Sequence, residues 1–207
     1  MINIETIKQL ATLASEDSKK HGYTDAEKPV CRTLAKAAIE MAESVNAFRD
    51  KRFVPQHVYL TCKDNIKPEQ KKWAQKRHFK KIYDDYAKDT VQDELADVAI
   101  YCLVALGNSK ADFGHTKRAE RPDLDKYISE VEYVDFSGFI MSMLTGPYII
   151  PEVFDGCYSL TILSVIDHLD AYMEHHLDQS LEYWIREKME YNQLRPYRHG
   201  RANDPTL

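Results

Sequence analysis

Glycine and proline are scarce in this chain, seven and eight among 207 residues, and runs of β-branched residues are few. Both shortages argue against a sheet built from tight turns and point to a mostly helical protein. The four cysteines, Cys31, Cys62, Cys102 and Cys157, form no CxxC pair and no disulfide-scaffold spacing. That usage suits a reducing, cytoplasmic setting. No apolar run reaches the ~18 residues that a membrane span needs. The N-terminus is a polar amphipathic stretch, unlike a signal peptide, so neither a membrane nor secretion is expected. Gly-rich phosphate loops, HExxH motifs, internal repeats and low-complexity tracts are all missing. The net charge of −5 argues against a general nucleic-acid binder, and no stable nucleic-acid partner is expected.

What remains reads as a single all-α domain over residues 1–207, long enough to bury a sizeable core. Ile4, Ile7, Leu10 and Ala14 mark a first helix over 3–19. Pro29 opens a second, to about residue 50, with Val30, Leu34, Ala37, Met41, Val45 and Phe48 inside. Residues 51–68, with Pro55, Asp64-Asn65 and Pro68, read as a loop. From Glu69 a basic helix begins and can run unbroken into the acidic stretch at 93–97. On it, Trp73, Phe79 and Tyr83 suggest one packed face. Residues 108–126 read as loop, and helices are expected over 130–145, 157–177 and 179–194, with no long linker.

The charge is unevenly spread. Residues 51–89 carry eleven Lys/Arg against five Asp/Glu, which makes this segment about +6 and the remainder about −11.

The stretch Asp93 to Leu106 stands out. From Val98 to Leu106 it offers no solvent face, so its helix is buried all round and stops near Gly107. Glu94 and Asp97 nevertheless lie three apart on one face at its entrance, near the line of Thr90, Asp93 and Tyr101. The helix dipole explains Asp93 well and Asp97 poorly. Buried carboxylates are costly unless something neutralises them, and a hard cation held by oxygen ligands would do so. Glu40 and Glu43 form a second pair at the same spacing, although one such pair on a helix is usually a solvated face. Packed together, the two helices would aim four carboxylates at one point, a donor set that suits Mg²⁺. On the last helix, Lys188, Asn192 and Arg195 share one face with Trp184, and Lys and Arg are residues that hold phosphate. The alternative is a basic last turn that complements the helix dipole.

Three segments resemble the all-α nucleoside triphosphate pyrophosphohydrolases, the MazG-like and dimeric-dUTPase superfamily. They are Ala37 to Ser44, Glu94 to Tyr101, and Lys188 to Gly200, together 29 residues. The resemblance implies a helical bundle in which Glu40, Glu43, Glu94 and Asp97 bind Mg²⁺. It also implies cleavage of a nucleoside triphosphate to monophosphate and pyrophosphate. Lys188, Asn192 and Arg195 would hold phosphate or sugar, in a homo-oligomer, dimer or tetramer, whose sites are completed at subunit contacts. The fifty residues between Glu43 and Glu94 exceed the usual spacing, so 51–89 reads as a basic insertion. Two other functions compete with this one. One is a different metallohydrolase built on Asp167, His168, Asp170, Glu174, His175 and His176. The other is a non-enzymatic helical module that offers 51–89 to an acidic partner.

Overall fold

The computed structural model describes residues 1–20, 30–108, 136–138, 140, 141, 143 and 158–195. The regular structure among them is all helical. The helices are α1 (Ile4–Lys20), α2 (Val30–Arg49), α3 (Gln56–Asp64), α4 (Lys72–Tyr86), α5 (Val91–Asn108), α6 (Tyr158–Leu177) and α7 (Leu181–Gln193). None is long and apolar enough to cross a membrane. The helix expected over 130–145 lies largely outside the described residues, but Phe136, Ile140 and Met143 from it are helical and buried. The loop expected over 108–126 lies outside them except for Asn108, which is the last residue of α5, and the segment 196–200 also lies outside them.

The axis of the fold is α5, packed against α1, α2, α6 and α7. Between Val91 and Leu106 its only positions that are not fully buried are Asp97, Ile100 and Tyr101. An apolar helix enclosed on its other sides thus keeps one open line, and that line carries a carboxylate. Its neighbour α1 approaches closely at the C-terminal end. There Ser15 donates its hydroxyl to Asn108 Oδ1 at 2.6 Å. Gly107 sits inside this helix rather than after it, and its missing side chain is what lets α1 pass.

Two expectations about 51–89 are corrected. Residues 56–64 are helical, because Pro55 stands just before the first turn, where its missing N–H costs nothing, and its carbonyl accepts from Tyr59 N–H. The basic helix also does not run on into α5. Asp89 adopts a left-handed φ of 59° and Tyr83 carbonyl accepts from both Ala87 and Lys88, which closes α4. Thr90 then starts α5, its hydroxyl accepting from Asp93 N–H at 3.4 Å. Nothing in the sequence marks this break with Gly or Pro, so it escapes the usual signals.

The packed face of α4 is also narrower than expected. Phe79 and Tyr83 are buried, but Trp73 is 63% exposed. Six residues of helix turn Trp73 about 120° away from Phe79.

Gly107 gives a direct test of the α1–α5 crossing. A Cβ there would lie 2.3 Å from the Ala11 carbonyl oxygen and 2.9 Å from the Ser15 Cβ. Gly107→Ala is therefore expected to destabilise by about 1–3 kcal/mol, read from the midpoint of urea unfolding. An unchanged midpoint would mean that α1 can move aside freely.

Candidate functional site

The carboxylates on α2 and α5 face one another across a cleft of about 580 Å³, whose far wall is α7. Glu40, Glu43, Glu94, Asp97, Lys188, Asn192 and Arg195 all line it. Helical spacing explains each half of this arrangement, since residues three or four apart share a face. Trp184, which shares that spacing, is turned instead into the core against Tyr59, with ring centroids 5.3 Å apart.

Within the cleft the carboxylates fall into two groups. Glu40, Glu43 and Glu94 each bring one oxygen within 4.8 Å of the other two. Asp89, Asp93 and Glu94 do the same, so Glu94 belongs to both. Asp97 joins neither, and its Oδ2 is paired with Lys188 Nζ at 2.7 Å.

Lys188 is only 4% exposed and also donates to Asp93 Oδ1 at 2.6 Å. Its ammonium lies 6.0 Å from the Tyr83 ring centroid and 5.9 Å from that of Tyr191. Burial works against its charge, but Asp97 and Asp93 outweigh that and raise its pKa above the usual lysine range.

Asp93 is more than a residue that suits a helix start. It is 1% exposed and accepts from Tyr83 Oη at 2.6 Å and Asp89 N–H at 2.9 Å, besides Lys188. The role of Tyr83 has no local sequence signal, since it depends on α4 folding back over α5.

Glu94 is nearly buried, and among the described residues no side chain donates a hydrogen bond to it. Burial pushes its pKa up to about 9, helped by the charges of Asp93 and Asp97 and only partly offset by Lys188. Glu40 is raised to about 7, again by burial and then by Asp97 and Glu43. Burial lifts Asp97 to about 6 against the pull of Lys188. Carboxylates that resist ionisation together are short of positive charge. Their hard oxygen donors, from two helices, fit a divalent cation such as Mg²⁺.

The histidine-rich face of α6 is built differently. Asp170 accepts from Ile2 N–H at 3.0 Å and pairs with the N-terminal ammonium at 3.3 Å. The ring of His168 bonds through Nδ1 to the Ser164 carbonyl at 2.7 Å. Among the described residues no three of Asp167, His168, Asp170, Glu174, His175 and His176 converge on one point. Asp170 is taken by the N-terminus, and the rings of His175 and His176 lie against each other with centroids 5.0 Å apart.

No family model matches the chain, and no curated protein or solved structure matches it either. The chemistry of this cleft therefore rests on its own side chains.

The raised carboxylates set a direction for pH. In the folded protein Glu94 and Glu40 hold protons up to about 9 and 7, against an ordinary value of 4.5. Their contribution to stability is whole below the ordinary value and is lost as pH rises through the folded values. In chelator, the melting temperature is expected to fall between about pH 5 and pH 9, and Glu94→Gln should flatten that fall. A wild-type melting temperature that rises over this range would contradict the clustering of these acids.

Proposed function

We propose that the cleft is the active site of a Mg²⁺-dependent nucleoside triphosphate pyrophosphohydrolase of the all-α type that the sequence resembles. One observation carries the reading. Three carboxylates from two helices meet within 4.8 Å, inside a cleft also lined by Lys188, Asn192 and Arg195 of α7. Its volume of about 580 Å³ falls in the range of small-molecule sites.

Glu40, Glu43 and Glu94 would hold the cation, and Asp97 is the fourth carboxylate of the set. Bound there, Mg²⁺ would neutralise charge on a polyphosphate and lower the pKa of a water molecule. The solvent-exposed guanidinium of Arg195 suits a phosphate, which it can grip with two donors. Asn192 suits a phosphate or sugar oxygen. Lys188 fixes Asp93 and Asp97 and adds positive charge at the base of the cleft. Water adds across the α–β phosphoanhydride, and the carboxylate least engaged by the cation accepts its proton. The products are a monophosphate and pyrophosphate. A homo-oligomer belongs to the same proposal, since sites of that family are often completed between subunits.

Chromatography of early products tests the reaction. With Mg²⁺, monophosphate and pyrophosphate are expected without free phosphate, and diphosphate plus phosphate would refute the proposal. Arg195→Ala should lower kcat/KM about ten-fold or more, the worth of one charge-assisted contact, and full activity would remove Arg195 from the site.

Thermal melts test the cation separately. At a hundred-fold excess over Kd, Mg²⁺ should add about 2.7 kcal/mol, a rise of roughly 5–10 °C for a chain of this size. Glu94→Gln should lose most of that rise while staying folded in chelator, whereas Asp97→Asn, which takes a partner from the buried Lys188, should destabilise the protein in chelator as well. If the wild type were indifferent to Mg²⁺, or Glu94→Gln were badly destabilised in chelator, the acidic cluster would be structural and not a cation site.

A further inference from the structure

The outer face of α4 takes no part in the cleft. Lys71 caps its N-terminus, Lys72 opens its first turn, and Lys76 and Arg77 follow one turn later. All four are exposed, as is Lys67 just before the helix. Among the described residues no carboxylate pairs with any of these five cations. This differs from the other half of the same helix, where Lys80 pairs with Asp84 and Lys81 with Asp85. No acidic residue stands in the first turn. Positive charge collected at a helix N-terminus opposes the dipole, so the arrangement works against the stability of α4 itself.

In the midst of these cations lies Trp73, 63% exposed, its ring against no other aromatic ring among the described residues. Lys76 and Arg77 flank Trp73 at about 60° and 40° on either side, so the three share an arc of about 100° around the helix. None of these six residues lines the cleft.

We infer that this face binds single-stranded nucleic acid, with Trp73 as a stacking platform for a base and Lys67, Lys71, Lys72, Lys76 and Arg77 as phosphate contacts. An exposed indole among unpaired cations is the combination that unpaired bases and a phosphate backbone require. A lipid surface fits less well. An interfacial helix needs a broad apolar face, whereas the apolar side of α4, Phe79 and Tyr83, is buried in the protein. A duplex hides its base faces and would leave the indole unused. The overall charge of −5 limits the affinity without abolishing the local attraction, so binding should be weak and sensitive to salt.

The test uses the full chain in chelator with a fluorescein-labelled oligothymidylate of about fifteen nucleotides, followed by anisotropy. Saturable binding is expected, weakening roughly fifty- to hundred-fold between about 50 and 200 mM salt if four or five phosphates are engaged. Trp73→Ala, at an exposed position, should leave the melting temperature unchanged and weaken binding at least about five-fold. Reversing Lys72, Lys76 and Arg77 to Glu should abolish it. Arg195→Ala should bind as the wild type does, which separates this face from the cleft. The inference is overturned by no binding at the lower salt, by equal binding of Trp73→Ala, or by loss of binding in Arg195→Ala. Retention on phosphatidylserine vesicles without oligonucleotide binding would overturn it in favour of a membrane. None of these outcomes depends on whether the cleft hydrolyses nucleotides.

Discussion

The ammonium of Lys188 is withdrawn from water between Asp93 and Asp97, and three helices meet through it. Its own helix is α7, both carboxylates belong to α5, and Tyr83 from α4 donates to the same Asp93 oxygen that Lys188 does. Removing one member of such a group leaves a buried charge without its partner, which typically costs about 3–5 kcal/mol. A lysine to methionine change here would not be a mild loss of one contact. It would leave two carboxylates buried beside Glu94 with nothing to neutralise them. The position of α7 against α5 therefore rests on electrostatics as much as on the apolar packing of Trp184 and Ile185.

That one ammonium does not balance the charge of the cleft. Seven carboxylates line it, Asp17, Glu40, Glu43, Asp89, Asp93, Glu94 and Asp97, against five cations, Arg32, Lys36, Lys88, Lys188 and Arg195. Asp93 and Asp97 have Lys188, but among the described residues no side chain donates to Glu94, and its pKa rises furthest of the three raised acids. The bundle packs well around a group of like charges, and packing alone gives no reason for them. A structural acid would be placed where a donor meets it, as Asp170 meets the chain N-terminus. Under the proposed function, Glu94 is the residue that would distinguish a cation site from a merely buried ion pair.

Helical periodicity carried most of what was legible in the sequence. It placed Glu40 and Glu43 on one face of α2, Glu94 and Asp97 on one face of α5, and Lys188, Asn192 and Arg195 on one face of α7. The all-round apolarity of α5 put that helix at the centre. Partners set by tertiary pairing were not legible. Tyr83 meets Asp93 only because Asp89 turns the chain back, and Lys188 reaches Asp93 across 95 positions of sequence. The same limit explains Trp73, whose neighbours in sequence look like those of Phe79 but whose side of the helix faces water. It also explains α3, where Pro55 and Asp64-Asn65 read equally well as loop or as the two ends of a short helix.

The segment 51–89 is then best understood from its two sides. Its inner side is structural. Tyr59 donates to Glu187 on α7 at 2.6 Å, and Lys63 pairs with the same carboxylate while lying against Phe79 and Tyr183. Tyr191 on α7 in turn donates to Asp84 of α4 at 2.6 Å. These bonds bind the α3–α4 pair to the helix that carries Lys188, Asn192 and Arg195, and Tyr83 on Asp93 binds it to α5. A segment tied down at so many points cannot swing freely as a lid over the cleft. The positive surplus of the segment resides on the opposite side, where the unpaired cations of α4 face away from these contacts. Structure and charge are thus divided between the two faces of one pair of helices. The inner face holds the cleft together, and the outer face is left free to meet an anion.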